Sequence, residues 1–278
     1  MALLELPEPY DFELSTGRYR AFGPDLANLW QNGALYRVVG HREVRITPAP
    51  GGVDVEPLDE EIAPVIRQLL GVPFELDAFY AFAMFDSVLG RIAERLRGLR
   101  PPLAPTPFES LVTSITAQQV SLQAAFAIRN RLIGRFGAPA GEHAVAFPMR
   151  EILAAAQEDE LAALGFSRRK AAYVIGLARS DLDLEGLAAL PDDEVKAQLV
   201  ALPGIGEWTA DWFLARYLAR PQAWPAGDLA LRKAVSAFYG DASDFDTAEV
   251  RVLGARFDPF QNLTGHYLLT AFQAGLWK

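Results

Sequence analysis

The sequence predicts an α+β protein, with an N-terminal antiparallel sheet and accompanying helices followed by a mainly α-helical array. Three observations carry this expectation. Alternation with period two is confined to the first 55 residues, helical spacing of apolar residues dominates from residue 77 onward, and 278 residues at 51% hydrophobic content supply enough apolar surface for two or three compact domains. A charged fraction of 22% beside 17 Phe, 8 Tyr and 5 Trp excludes a disordered or fibrous chain.

Residues 33–40, which carry Ala34-Leu35-Tyr36-Arg37-Val38-Val39 between two glycines, alternate in polarity, and so do residues 42–47 beyond Gly40-His41. Val53-Asp54-Val55 follows the turn residues Pro48-Ala49-Pro50-Gly51-Gly52, so a three-stranded meander is expected. Asp59-Glu60-Glu61 then sets acids at the positive end of a short helix reaching about Leu70. Asp77 is the expected cap of a helical stretch to about Leu99, and Pro101-Pro102, Pro105 and Pro107 form a stiff connector. Phe108, Leu111, Val112, Ile115, Leu122 and Phe126 share one helical face. Further helices are expected over 151–163, 168–180, 192–201, 207–219, 229–239, 247–256 and 260–276.

Composition narrows the chemistry. The absence of cysteine excludes disulfides, Cys-ligated zinc and thiolate-held iron–sulfur clusters, and His41, His143 and His266 are too scattered for a His-rich metal site. The first residues, Met1-Ala2-Leu3-Leu4-Glu5-Leu6-Pro7, show no signal-peptide pattern, and the longest apolar run, residues 78–85, is too short to span a bilayer. A cytoplasmic protein without a membrane segment is expected. The net charge of −9 argues against a nucleic-acid partner until it is divided along the chain: residues 1–75 carry 12 acids and 6 bases, residues 91–180 carry 12 bases and 7 acids. Phosphate contacts are local, being screened beyond about 10 Å, so an acidic protein can present a basic face. Arg91, Arg95, Arg97 and Arg100 equally suit a merely solvated helix surface.

The most informative stretch is Leu202-Pro203-Gly204-Ile205-Gly206-Glu207-Trp208-Thr209-Ala210-Asp211. One helix ends near Ala201, two glycines one residue apart turn the chain, and a second helix begins at once. Glycine supplies positive φ and leaves no Cβ in the way of an approaching group. The amides of Gly204 to Trp208 at the start of a helix form a nest suited to a phosphate, with Ile205 packing down between the helices. An ordinary αα-corner would also use Gly-x-Gly, but the full string followed by Thr-Ala resembles the helix-hairpin-helix motif that grips a DNA backbone without reading sequence. That resemblance implies DNA contacts at Gly204, Ile205, Gly206 and Thr209. It also implies that the backbone carbonyls of Val200, Leu202 and Ile205 can hold a structural monovalent cation that shares the phosphate, no other cofactor being expected.

Beyond the second helix, Pro221-Gln222-Ala223-Trp224-Pro225-Ala226-Gly227 leads to Asp228 at the start of a new helix. An Asp there suits plain N-capping, and capping is compatible with catalysis because it fixes the direction of the carboxylate. Hairpin, Gly/Pro loop and Asp in this order resemble the helix-hairpin-helix-Gly/Pro-Asp superfamily of DNA glycosylases. Within it the chain resembles the AlkA-type 3-methyladenine DNA glycosylases II over essentially its whole length. Pro9-Tyr10-Asp11-Phe12 is similar to the start of that family. Leu99-Arg100-Pro101-Pro102 and Pro105-Thr106-Pro107-Phe108-Glu109 lead into Ser114-Ile115-Thr116-Ala117-Gln118-Gln119-Val120-Ser121, which looks like its DNA-probing segment. Leu164-Gly165-Phe166-Ser167 with Lys170-Ala171 adds a further typical string.

The resemblance implies an α+β domain over 1–75, a helical domain built from 76–107 with 221–278, and a helical domain carrying the hairpin over 108–220, the two flanking an active-site cleft. It implies a monomer acting on duplex DNA that contains alkylated bases, with no obligate protein partner. Asp228 is the implied catalytic carboxylate. It would stabilise the oxocarbenium-like sugar formed as the N-glycosidic bond breaks, and it would orient water. An alkylated base such as 3-methyladenine or 7-methylguanine is already cationic and leaves readily, which fits a site without a strong general acid. Trp208 stands where lyase-active relatives carry a nucleophilic lysine, so hydrolysis without strand nicking is implied. Trp208, Trp212 and Phe272 are the candidate surfaces for stacking on an electron-poor base, core packing being the alternative role for each. Gln119 is the candidate wedge into the gap left by the everted base. Leu229 stands where some relatives carry an aromatic, Arg18 and Tyr19 fall near a variable pocket position, and residues 260–266 depart from the more basic string of relatives. Excision of oxidised or deaminated bases is a second reading. A non-catalytic DNA clamp is a third, and it gives no reason for a carboxylate beside phosphates.

Overall fold

The meander expected between Ala34 and Val55 forms, and it gains a strand on either side. In a computed structural model, which describes residues 2–240 and 243–276, strands β1 (Ala2–Glu5), β2 (Leu29–Gln31), β3 (Ala34–Val39), β4 (Arg42–Ala49) and β5 (Gly52–Glu56) make one antiparallel sheet in the order β1-β5-β4-β3-β2. Two tight turns fix its register. Gly40, at φ +62°, opens the two-residue turn that pairs Val39 with Arg42, and Pro50-Gly51, with Gly51 at φ +79°, pairs Ala49 with Gly52. Leu35, Ile46 and Val55 consequently lie side by side, as do Leu4 and Val53. The helix Ile62–Leu69 covers these residues with Ile62, Ile66 and Leu69, one face at i, i+4 and i+7, all without solvent exposure. β1 and β2 escape a reading by alternation because four and three residues are too few to show a period.

Helices follow the expected order. The stretch from Asp77 to Leu99 is two helices, Leu76–Ala83 and Ser87–Arg95. Asp77 lies inside the first, whereas the Asp86 carboxylate accepts the amides of Val88 and Leu89 and starts the second. Residues 108–126 likewise divide into Pro107–Ala117 and Leu122–Phe136, with the turn 118–121 between them. The region 151–163 becomes Arg150–Ala155 and Glu158–Ala163, the latter opened by a capping box of Gln157 and Glu160. The helices Arg168–Arg179, Asp192–Val200, Glu207–Arg216, Leu229–Tyr239, Thr247–Gly254 and Gln261–Gln273 stand where periodicity places them. Their apolar sides merge into one core around Phe79, Phe213, Phe257 and Tyr267, separate from that of the sheet. No helix among the described residues is long and apolar enough to cross a membrane.

A buried ionic network ties sheet to helices. Arg37 on β3 donates to Asn28 (2.6 Å) and Glu109 (2.6 Å), and Arg129 donates to Glu109 (2.6 Å) and to Asp25. Gln68, on the helix that covers the sheet, donates to the Tyr217 carbonyl at 2.7 Å, and the Ala104 amide donates to the Arg216 carbonyl at 2.7 Å. The N-terminal region thus bears on the end of the hairpin's second helix.

Candidate active site

The hairpin consists of helix Asp192–Val200, the turn 201–206 and helix Glu207–Arg216. Its two glycines do different things. Gly204 adopts φ +86° against the Tyr173 ring, where an added Cβ would come within 2.1 Å of ring carbon. Gly206 is extended, with φ −104°, and a Cβ there would meet nothing within 4 Å, so only Gly204 needs positive φ, and Gly206 leaves the approach open. Gly204→Ala should therefore cost about 1–3 kcal/mol of stability and loosen duplex binding. Gly206→Ala should leave stability within about 1 kcal/mol while weakening binding. Thermal unfolding together with duplex titration checks both, and equal stability losses would overturn the distinction.

The amides of Gly206, Glu207 and Trp208 make no hydrogen bond among the described residues, the condition expected of donors aimed outward at a helix N-terminus. Ile205 is buried and packs into the core as expected. Thr209 is only 1% exposed, and its hydroxyl faces inward, accepting a hydrogen bond from Gln118 Nε2 at 3.1 Å. The same Gln118 nitrogen donates to the Gly204 carbonyl at 2.9 Å. This side chain therefore ties the turn 118–121 to the hairpin. Gln119 stands next to it, exposed at φ +54°, with exposed Val120 following. Lys170 adds a second brace, donating to the Thr116 carbonyl at 2.9 Å. Val200 lies at the end of the first helix, and the Leu202 carbonyl accepts the Ile205 amide at 3.2 Å.

Asp228 is the N-cap of Leu229–Tyr239, and its Oδ1 accepts the Leu231 amide at 2.9 Å. Its Oδ2 accepts two indole N–H groups, from Trp208 at 2.9 Å and from Trp212 at 3.1 Å. The carboxylate is thereby clamped on both oxygens, by the start of its own helix and by the second helix of the hairpin. Both tryptophans join Asp228, but they differ in availability. Trp212 is 4% exposed and one ring face carries the Arg216 guanidinium, 3.5 Å from its centroid, so it is a buried positioning donor rather than an open stacking surface. Trp208 is half-buried, and no ring or guanidinium stacks on it among the described residues. Phe272 sits half-buried at the rim of the helical core on Gln261–Gln273.

Gln118, Arg216 and His266 have no individual role that the sequence assigns, although Gln118 lies within the segment resembling the DNA-probing one. Arg216 was legible in principle, since Trp208, Trp212 and Arg216 stand at i, i+4 and i+8 on one helix face. His266, whose ring lies 5.9 Å from that of Trp212, has no comparable local signal. His143 stacks on Tyr36 and bonds Glu43, a structural role. No cluster of His, Asp and Glu among the described residues could hold a metal ion.

Hairpin, outward amides and a clamped aspartate at the next helix start share one region, the arrangement of a helix-hairpin-helix protein of DNA repair. The family profile described as HhH-GPD superfamily base excision DNA repair protein matches residues 112–254, and the chain belongs to that family. It is similar to the DNA-3-methyladenine glycosylase of Bacillus subtilis, with 26% identity covering 82% of this chain and 83% of that one. Similarity to DNA-3-methyladenine glycosylase 2 of Escherichia coli reaches 33% identity over 52% of this chain and 51% of that one. Among solved structures, the 3-methyladenine DNA-glycosylase from Archaeoglobus fulgidus superposes with a TM-score of 0.89 at 26% identity, covering 98% of this chain and 99% of that one.

Proposed function

We propose that this chain is a monofunctional DNA glycosylase that removes alkylated bases, 3-methyladenine and 7-methylguanine, everted from duplex DNA. The observation that carries the reading is the Asp228 carboxylate held by two indoles, one of them the half-buried Trp208, and a helix amide. As the bond between C1′ and the base nitrogen breaks, its electron pair passes to the base and the sugar becomes an oxocarbenium ion. The fixed negative charge of Asp228 stabilises that ion, water adds its oxygen to C1′, and the water's proton leaves to solvent. An alkylated base departs neutral, and before departure its positive charge favours stacking on an indole such as Trp208. The names of the similar glycosylases from B. subtilis and A. fulgidus support the same lesion class.

Gln119 at its exposed turn fills the vacated stack in this reading, and the hairpin amides take the backbone phosphate. The carbonyls of Val200, Leu202 and Ile205 are the donors offered to a monovalent cation between hairpin and phosphate. The enzyme works in the cytoplasm on duplex DNA, without an obligate protein partner. A non-catalytic clamp has no use for three donors converging on one carboxylate.

Incubation with duplex carrying both lesions, followed by chromatography of free base, tests the reading. Release of 3-methyladenine and 7-methylguanine is expected, with no borohydride-trapped protein–DNA adduct, because an indole cannot form a Schiff base. Absence of free base, or a trapped adduct, would sink it.

A further inference from the structure

The turn 118–121 is held more firmly than a surface turn requires. Gln118 closes the helix Pro107–Ala117, its backbone amide donating to the Ile115 carbonyl at 3.3 Å. Its side chain reaches the hairpin, 86 residues further along, where Nε2 donates to the Gly204 carbonyl at 2.9 Å and to the Thr209 hydroxyl at 3.1 Å. A carbonyl oxygen only accepts, so the nitrogen end of the side-chain amide must face the hairpin, with both of its protons engaged. In sequence the two acceptors bracket the outward amides of Gly206, Glu207 and Trp208. From another side Lys170 donates to the Thr116 carbonyl at 2.9 Å and steadies the end of the same helix. Beyond the turn, the Ser121 hydroxyl accepts the Ala124 amide at 3.2 Å and starts the next helix. Between these fixed ends Gln119 is exposed at φ +54°, a left-handed conformation that a residue with a Cβ seldom adopts. Strain of this kind persists only where the surroundings over-determine it.

We propose that Gln118 is a positioning residue for base eversion, whose two hydrogen bonds make the phosphate-gripping hairpin and the probing turn one rigid unit. This rests on the glycosylase reading and deepens it. Everting a base means unstacking and unpairing it, a cost already reduced where the base has no partner. A wedge offsets that cost best when it is ordered before DNA arrives, because a loose turn gives up its freedom on binding. With Gln118 in place, the hairpin's hold on a phosphate also fixes where Gln119 enters the stack. Without it, the turn must be ordered at each encounter, and Gln119 is released from its left-handed conformation. Gln118 acts through Gln119, so bond breaking at Asp228 keeps its own rate once a base is out.

Gln118→Met keeps the length of the side chain and loses both hydrogen bonds. Wild type and variant are compared in single-turnover release of 7-methylguanine paired with cytosine, and of the same lesion in a single-nucleotide bulge, where no pair opposes eversion. A 2-aminopurine beside the lesion brightens on unstacking and reports eversion whether or not the bond is cut. The expected result is a fall of about tenfold or more in release and in the rate of brightening for the paired lesion, the size of the lost hydrogen bonds. Release from the bulge stays within about threefold. A merely structural brace would lower both substrates alike, so equal losses, or no loss on the paired lesion, would overturn the proposal. Thr209→Val removes one acceptor and should give a smaller fall in the same ratio, with no further fall when combined with Gln118→Met; additive losses would count against a shared unit. If Gln118→Met fails to fold, the Thr209→Val ratio decides: a fall supports the assignment and an unchanged ratio overturns it. A wild type that brightens both duplexes without releasing base counts against the alkyl-base reading alone, and brightening then carries the comparison. A wild type that leaves the paired lesion dark overturns the eversion role.

Discussion

Asp228→Asn should abolish base release while duplex binding persists. The substitution is isosteric, and an asparagine remains a competent helix cap, so what disappears is the negative charge of the carboxylate. Removing a single preorganised electrostatic contact from a transition state costs about a hundred- to a thousandfold in rate. The effect at Asp228 should be at least that large, because in the proposed reaction a full charge faces the oxocarbenium ion. The donor set adds a second consequence. One carboxylate oxygen accepts two indole N–H groups and the other accepts the Leu231 amide. An asparagine has one oxygen and one NH2, so whichever way it turns, an N–H faces an N–H. Stability should fall by about 1–3 kcal/mol through that unmatched contact. Single-turnover release at saturating enzyme, beside a thermal melt, reads both effects, and undiminished release would remove Asp228 from the mechanism.

Glu109→Ala should be the most damaging change to the fold. Glu109 lies buried between Arg37 and Arg129, its side chain 4% exposed against 6% and 5% for the two arginines. Deleting it leaves two guanidinium groups sealed together, with Asp25 the one remaining carboxylate paired to them among the described residues. Breaking a buried pair in this way costs about 3–5 kcal/mol. Denaturant unfolding should show the loss, and a change under about 1 kcal/mol would mean that the network is worth no more than a surface pair.

Acid reaches the same network through Asp25. Burial opposes its ionisation, but the Arg129 guanidinium and the Asn28 amide outweigh burial and hold its carboxyl below the ordinary 3.8. A depressed carboxylate pKa contributes stability in full above the unfolded-state value, and that stability is lost as pH falls through the folded-state value. The contribution of Asp25 is therefore complete at neutral pH and drains away only below about pH 4, in step with the ordinary carboxylate value.

Much of the fold is legible because its causes are local. The Gly40 and Pro50-Gly51 turns set the register of β3 to β5, and Asp59, Thr106, Ser121, Ser167 and Asp228 each accept amides at the helix starts they mark. The helix from Asp77 to Leu99 misled for a local reason too: Asp77 and Asp86 are both plausible caps by type, and only the conformation shows that Asp86 is the one bonded. The candidate site divides in the same way. Gly204, Ile205, Gly206 and Asp228 are readable because hairpin turn, Gly/Pro loop and cap are written within the single stretch 204–228. The resemblance implies a DNA contact at Thr209 because it follows the hairpin, whereas the structure turns its hydroxyl inward to accept from Gln118, 91 residues away.

The sequence alone determined that this is a helix-hairpin-helix protein with a capping aspartate after a Gly/Pro loop, with tryptophan at residue 208 and no cysteine in the chain. Those features depend on residue type and short spacing, and both survive without coordinates. Tertiary structure alone decided that two indoles grip Asp228, that Gln118 couples the probing turn to the hairpin, and that Arg216 and His266 pack beside Trp212. Each of these rests on which faces meet when separate helices pack, and packing is settled by the whole core at once rather than by any neighbourhood along the chain.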